Sequence, residues 1–187
     1  AEVARVLDDA ARLAIERGAA ALAAELCEHA LRITPTAQVD DRHRRALATA
    51  RAHQTAGEWT RAQAIARELL PEAAPGPQRA EVLLLLAEFE VDQLAVPPLE
   101  KALAEATARR DLHLRIRIRL AMCRRFTSGF AAAYGDARAA LAAAEELDDD
   151  ALHVAALSEA AFLGRSVLAP EAPVYAARAR EIATRSG

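Results

Sequence analysis

The stretch "LHLRIRIRLAMCRRF", residues 112–126, decides the fold class because two secondary structures fit it. Its alternation of apolar and basic residues is typical of a half-buried strand. Placed on a helix at about 100° per residue, the same residues form two apolar faces. One face comprises Leu112, Ile116, Leu120 and Cys123, and the other comprises Leu114, Ile118, Ala121 and Met122. A strand here has no turn signals and no partner strand, so the stretch predicts a helix that packs on neighbours at both faces.

The composition of the whole chain favours helices as well. The chain has 187 residues, of which 53% are hydrophobic but only 4% aromatic, and alanine accounts for most of the surplus. Alanine has the highest helix propensity, and its small side chain lets helices pack closely. Glycine (7 residues) and proline (8 residues) are too sparse for a low-complexity linker. The composition therefore predicts a single all-α domain over residues 1–187.

The sequence carries no signal for a membrane or for export. No apolar run approaches the roughly 20 residues that span a bilayer, and the first residues, "AEVARVLDDAARLA", are unlike a signal peptide because they contain acids within a helical pattern. Cys27 and Cys123 lie in separate helical segments without metal-ligand spacing, which predicts buried, reduced thiols. We expect a cytoplasmic protein with no membrane partner.

Proline and glycine divide the chain into helical segments. All eight prolines are predicted to lie between helices, because proline breaks a helix interior. Gly18, Gly57, Gly129 and Gly164 are each predicted to close a helical segment with a left-handed cap. The spacing from Gly57 to Gly129 is about twice the other two spacings, which indicates one more segment end without glycine, near Asp92 and Gln93. The pattern predicts five helix pairs.

The predicted helices have the following bounds. The first helices of the five pairs cover residues 2–17, 41–56, 78–92, 112–127 and 150–163, and the second helices cover residues 20–33, 59–71, 97–108, 132–147 and 172–185. Each pair spans about 34–40 residues, a period typical of stacked helical hairpins. In such an array each hairpin completes the apolar core of its neighbours and the array forms an extended groove.

Two of the segments resemble the tetratricopeptide repeat (TPR). In "RGAAALAAELCEHALRITP", residues 17–35, the small residues Ala23 and Ala30 and the following Pro35 stand where that repeat favours them. "AHQTAGEWTRAQAIARELL", residues 52–70, places Gly57 and Ala62 similarly. The aromatic residues typical of the first TPR helix are missing, and the units are longer than 34 residues. The resemblance implies a right-handed superhelix of about five TPR-like hairpins, an α-solenoid.

A narrower resemblance rests on short segments rich in alanine and leucine. Together with residues 52–70, "GPQRAEVLLLLAEF", "LEKALAEA" and "YGDARAALAAAEELDDDALHVAAL" resemble the helical-repeat region of large LuxR-type, MalT-like transcriptional regulators. In that family an ATPase module precedes the repeats and a helix-turn-helix domain follows them. The phosphate-binding motif G-x-x-x-x-G-K-[ST] does not occur, and the only lysine, Lys101, lies in a helical segment. The resemblance implies a fragment of a larger regulator, its sensor segment.

The arginines of the central helix are the candidate binding residues. Seven arginines and one acid, Asp111, lie between Arg109 and Arg125. They are either solvated helix edges paired with acids of adjacent helices or a patch that attracts anions. One edge carries His113, Arg117 and Arg124, and the other carries Arg115 and Arg119. We expect the edge with His113 to face the groove.

Other classes of function find little support in the sequence. The net charge of −3 and the lack of interleaved aromatic residues argue against direct nucleic-acid binding. His29, His43, His53, His113 and His153 show no metal-binding spacing, and no G-x-S-x-G nucleophile motif is present. The acid pairs at residues 8–9, 40–41 and 148–150 are predicted mostly to cap helices, and Trp59 is predicted to anchor two helices. We expect no enzyme activity, no cofactor and no metal.

Two functions therefore stay open. The first is a non-catalytic scaffold for protein interaction and signal sensing, which binds a protein or peptide partner or other domains of the same regulator. The second is a receptor for a small-molecule effector that uses the superhelix interior. A self-assembling structural segment is a third class, and the oligomeric state is open.

Overall fold

A computed structural model describes residues 2–186 of the chain, which form ten α-helices and one short 3₁₀-helix, Leu70–Glu72, and contain no strand. The helices are α1 (Glu2–Glu16), α2 (Ala20–Arg32), α3 (Val39–Thr55), α4 (Trp59–Leu69), α5 (Pro77–Glu88), α6 (Asp92–Glu105), α7 (Arg110–Arg124), α8 (Phe130–Ala144), α9 (Asp150–Ser166) and α10 (Ala172–Ser186). The predicted all-α class and the five helix pairs are confirmed. Except in the third pair, the predicted ends lie within three residues of the observed ends. Over the described range, no helix is both long and apolar enough to cross a membrane.

The chain divides into two compact units, one up to Ala74 and one from Pro75 onward. In the N-terminal unit α1 packs on α2, α2 on α3, and α3 on α4. In the C-terminal unit consecutive helices from α5 to α10 pack in the same way, and α7 also contacts α5 and α9. The short connections make consecutive helices antiparallel. That residues 1–187 form a single domain stays a prediction.

Alanine fills the contacts between the helices. Ala23 and Ala30 of α2 and Ala62 of α4, the residues that fit the repeat pattern, are fully buried. In α8 the buried alanines recur every three or four residues, which places them on one face of the helix. They are Ala133, Ala137, Ala140 and Ala144, and they belong to the core of the C-terminal unit. Small side chains at these positions let the helix backbones approach one another closely.

Glycine ends the first helix of both hairpins in the N-terminal unit, as predicted. Gly18 and Gly57 have φ angles of +74° and +80°, in the left-handed region that glycine adopts without strain. The next residue donates back to the helix in each case: the amide of Ala19 to the carbonyl of Ala14 (2.8 Å) and that of Glu58 to the carbonyl of His53 (2.9 Å). This arrangement is the Schellman motif. Gly129 also has a positive φ, but it stands directly before α8 as its N-cap.

The prediction for Gly164 is wrong because this glycine lies inside α9, two residues before its end. A Cβ atom at Gly164 would lie 3.0 Å from Cβ of Ala172 and 3.0 Å from Cε2 of Tyr134, so the glycine serves a close approach of α8 and α10 to α9. The residue that takes the left-handed conformation is Leu168, with a φ of +57°. The amide of Ala169 donates to the carbonyl of Gly164 (2.8 Å), so Leu168 occupies the position that glycine has in the first two hairpins.

The prediction that all prolines lie between helices is wrong for the third helix pair. Pro97 and Pro98 lie inside α6, which begins at Asp92 instead of residue 97, and α5 ends at Glu88 instead of residue 92. Each proline removes one hydrogen bond of the helix interior. Ala95, Leu99 and Ala102 are all fully buried on one face of α6, and this packing keeps the segment helical across both prolines.

Candidate functional site

The central helix of the C-terminal unit, α7, buries both of the predicted apolar faces. Leu112, Ile116, Leu120 and Cys123 are buried on one face, and Leu114 and Ala121 are buried on the other. The helix packs on the second helices α6 and α8 and contacts the first helices α5 and α9. The helical interpretation of residues 112–126 is confirmed, and the alternation follows from packing on two sides.

One basic edge of α7 faces a cavity between the first helices, which we name the first-helix groove. The cavity has a volume of about 290 Å³. Its lining comprises Leu84 and Glu88 from α5, Arg115, Ile118, Arg119 and Met122 from α7, and Leu152, Ala155 and Glu159 from α9. The floor of the groove is therefore largely apolar, and the arginines of α7 lie among acids of both neighbouring helices.

The other basic edge of α7 faces the second helices, and this corrects our expectation for the groove. Arg124 lies 2.8 Å from Glu100 of α6 and 3.1 Å from Asp136 of α8. His113 and Arg117 line a different cavity, of about 250 Å³, which we name the second-helix pocket. Its lining comprises Thr107, Arg110, His113, Leu114, Arg117, Ala143, Glu146 and Leu147. The five predicted residues thus line two separate surfaces, with only Arg115 and Arg119 in the first-helix groove.

Acidic residues pair with four of the seven arginines in this stretch. Arg109 lies 2.6 Å from Asp111, Arg125 lies 2.6 Å from Asp92, and Arg119 lies 3.5 Å from the same Asp92. Arg124 is the fourth. Among residues 2–186, no carboxylate oxygen lies within 4.0 Å of the other three, which are Arg110, Arg115 and Arg117. The interpretation as helix edges paired with acids therefore holds for four of the arginines, and the anion-attracting patch stays a prediction for the other three.

Sequence reasoning missed Glu159, which lies on α9 at the floor of the first-helix groove. Its side chain is buried, and its Oε1 atom has no hydrogen-bond partner among the described residues. Burial raises the pKa of Glu159 to about 7, although Arg125 and Arg119 act in the opposite direction. Nε of Arg119, in the same lining, also has no partner in the described part of the chain. The only sequence signal was an isolated acid within the apolar run of residues 154–163.

The N-terminal unit contains two buried polar clusters that sequence reasoning also missed. Asp8 lies in the middle of α1 and pairs with the buried Arg45 of α3, so its predicted role as a helix cap is wrong. Nδ1 of His53 lies 2.7 Å from Glu58, and its Nε2 lies 2.8 Å from Glu28. Both clusters join different helices, which indicates a structural role. The other acid pairs match the prediction: Asp40 and Asp41 lie in the first turn of α3.

The aromatic side chains are more exposed than we expected. Trp59, predicted as an anchor between helices, is 55% exposed at the start of α4. Phe126, Phe130 and Phe162 are also exposed. The guanidinium carbon of Arg125 lies 4.3 Å from the centroid of the Phe126 ring, within cation–π range. These aromatic residues lie mostly on the surface of their units.

The described residues offer no grouping of three or more histidine, cysteine or acidic side chains suited to a metal ion. Both cysteines are free thiols, with Cys123 buried and Cys27 partly buried. Burial raises the pKa of both thiols, that of Cys123 to about 11. At neutral pH both side chains are therefore protonated and poorly nucleophilic.

The sequence matches no protein-family model and no curated protein. Solved structures match it over nearly its whole length. A kinesin light chain candidate of Podosopora anserina with nearly identical TPR-like repeats is 20% identical, with 97% of this chain and 95% of that chain covered and a TM-score of 0.68. BtubC (BKLC) from P. vanneervenii is 17% identical, with 94% and 78% covered and a TM-score of 0.71. MamA from Desulfovibrio magneticus RS-1 is 16% identical, with 99% and 97% covered and a TM-score of 0.60.

The chain has a TPR-like repeat fold. Its similarity to these structures, together with its ten described helices, confirms the predicted class of an all-α solenoid built from TPR-like hairpins. At 16–20% identity the matches establish the fold alone. Function has to be argued from the surfaces of this chain.

Proposed function

We propose that the chain is a non-catalytic scaffold for protein interaction, and that a segment of its partner binds in the first-helix groove. Arg115 carries the proposal, because it lines an apolar groove and has no carboxylate within 4.0 Å among residues 2–186. TPR-like arrays generally bind peptides and proteins along surfaces of this kind. An unpaired guanidinium beside an apolar floor suits a partner segment that combines an acidic side chain with an apolar one.

The groove offers a distinct contact for each part of such a segment. Ile118 and Met122, which are half-buried, provide apolar surface for one side chain of the partner. Arg115 provides a fork of donors for a carboxylate at the rim. Because a charge at the rim of an interface acts mainly on the encounter, it raises the association rate and its salt dependence more than the final affinity.

We propose further that this scaffold is the sensor segment of a cytoplasmic transcriptional regulator. The alanine and leucine phrases that resemble MalT-like regulators are the support for this context. Within such a regulator, other domains of the same protein are candidate occupants of the groove, and the repeats themselves make no direct contact with DNA. A role as receptor for a small-molecule effector is a second candidate, favoured by the separate cavity around His113 and Arg117.

Selection from a random-peptide library tests the groove. We expect the wild-type chain to enrich peptides that carry one or two acidic residues next to an apolar residue. Arg115→Glu should lose these peptides, whereas Arg180→Glu, the same charge change on an exposed residue of α10, should retain them. Retention of the same peptides by Arg115→Glu, or the absence of any acidic enrichment, would contradict the proposal.

A further inference from the structure

The second-helix pocket gathers three nitrogen-bearing side chains from one side of α7. Arg110, His113 and Arg117 line it together, about one turn apart along the helix. Leu114 and Leu147 give the same cavity an apolar wall. The pocket opens on the edge of α7 opposite to the first-helix groove.

The two guanidinium groups of this pocket lack the acidic partners that neighbouring arginines have. In the described part of the chain, no carboxylate oxygen lies within 4.0 Å of Arg110 or Arg117. Arg124, about two turns further along the same edge of α7, is in contrast paired with two acids. Glu146 also lines the pocket but forms no ion pair with a described residue. Arg110 is exposed and Arg117 is half-buried, and with a single carboxylate in the lining the two cations leave a net positive charge that attracts an anion.

The N-terminal unit contains a cavity at the equivalent place in its repeats. "TAQVD", residues 36–40, and "TARRD", residues 107–111, lead into the first helices α3 and α7 and have threonine, alanine and aspartate at the same places. The cavity beside α3 has a volume of about 300 Å³ and is lined by Thr36 as the other is lined by Thr107. The two cavities are therefore a matched pair formed by the fold.

The linings of the matched cavities differ in charge. In this alignment Val39 stands in place of Arg110, and Ala46 stands in place of Arg117. Arg42, which replaces His113, donates to the carbonyl of Thr34 (3.1 Å). Two acids, Glu68 and Glu72, complete that lining. The fold accounts for the cavity in both units, but only the sequence of α7 makes it basic.

We propose that the second-helix pocket binds a small organic oxyanion, a carboxylate or a phosphate ester, with the anionic group between Arg110 and Arg117. The guanidinium fork matches the oxygens of both anions, and the first turn of α7 adds the positive end of a helix dipole. The volume of about 250 Å³ lies below the usual range for drug-sized ligands, so the organic part is short and packs on Leu114 and Leu147. This site is independent of the partner segment proposed for the first-helix groove.

Histidine ring resonances in NMR spectra test the proposal with three probes of similar size: phenyl phosphate, benzoate and benzyl alcohol. We expect saturable shifts of His113 with at least one of the two anions, no saturable shift with neutral benzyl alcohol, and none for His43 in the matched cavity. The comparison of phenyl phosphate with benzoate separates the two anion classes. Equal shifts with benzyl alcohol, or no saturable shift with either anion, would overturn the proposal.

Three substitutions give the test its controls. Arg110→Gln and Arg117→Gln should each weaken anion binding about tenfold or more, because each removes a charged hydrogen-bond donor. Arg42→Gln, the matched change in the other cavity, should leave the affinity unchanged. Unchanged binding by both pocket variants, with melting curves like that of the wild type, would show that the anion binds elsewhere.

Discussion

The guanidinium group of Arg45 is buried against the carboxylate of Asp8, with Nη2 of the arginine 2.9 Å from Oδ2 of the aspartate. Nη1 of Arg45 also donates to Oγ1 of Thr34 (2.8 Å), and the arginine side chain is only 2% exposed. The pair joins α1 to α3 across 37 residues of sequence. Removal of one partner from such a pair destabilises the folded protein strongly, because the other charge then stays buried without a partner.

Asp8→Ala should therefore destabilise the protein by about 3 kcal/mol. Asp9→Ala, the neighbouring change at an exposed carboxylate, should cost less than about 1 kcal/mol because its contact with Arg12 is a surface ion pair. Urea denaturation of both variants measures the two free energies of unfolding. Equal losses in the two variants would contradict the structural role of Asp8.

Replacement of Gly164 should destabilise α9, because an added methyl group would lie closer to two neighbouring side chains than packed groups normally do. Gly164→Ala places Cβ 3.0 Å from Ala172 and Tyr134, and such overpacking costs about 1–3 kcal/mol. Gly135→Ala in α8 is the matched control, since nothing lies within 4 Å of its added Cβ atom. The control should stabilise the protein by up to about 1 kcal/mol through helix propensity. Thermal melting curves with the two shifts in the same direction would contradict this assignment.

Leu168→Gly should stabilise the protein by about 1 kcal/mol. Leu168 holds a left-handed backbone conformation that costs a residue with a side chain roughly 1–2 kcal/mol. Its side chain is 90% exposed, so truncation removes little packing. Gly18→Ala, at the equivalent cap of α1, should have the opposite sign. Chemical denaturation checks both signs, and a loss of stability in Leu168→Gly would be inconsistent with the cap.

Glu159 should make the stability of the protein depend on pH. The folded protein holds this proton up to about pH 7, whereas the unfolded chain releases it near the ordinary value of 4.5. Between these values the folded state binds more protons, so the free energy of unfolding falls as pH rises. The contribution is fully present below about pH 4.5 and is lost as pH rises through 7.

Glu159→Gln keeps the position neutral and should remove this loss, which amounts to about 2–3 kcal/mol between pH 5 and pH 8. The measurement is the difference in unfolding free energy between wild type and variant at pH 5 and at pH 8, with Glu181→Gln, at an exposed carboxylate of α10, as control. A difference that stays constant between the two pH values would contradict the buried, neutral state of Glu159.

Local patterns in the sequence predicted most of the fold. The two apolar faces of residues 112–126 required only the helical period, and Gly18 and Gly57 marked helix ends because their backbone conformation favours glycine. The prediction failed where distant packing decides the local structure. Pro97 and Pro98 stay helical because the face of α6 that carries Ala95, Leu99 and Ala102 is buried. Gly164 is required because Ala172 and Tyr134 approach it closely.

The candidate sites were less predictable because each depends on how a helix is rotated against its neighbours. Periodicity gave the two basic edges of α7 correctly but could not say which edge faces α5 and α9. The position of Arg124 between Glu100 and Asp136 decides this, and those contacts join three helices. The burial of Glu159 likewise depends on residues far away in the sequence.

The buried alanines on one face of α8 affect the heat capacity of unfolding. A buried alanine loses almost no side-chain entropy on folding, and it also withdraws little apolar surface from water. Because the heat-capacity change of unfolding follows the apolar surface that becomes exposed, it should fall below the usual value of about 12–15 cal/mol/K per residue. Differential scanning calorimetry would detect the difference. A small heat-capacity change flattens the stability curve, so this chain should gain little from cooling and lose stability slowly on warming.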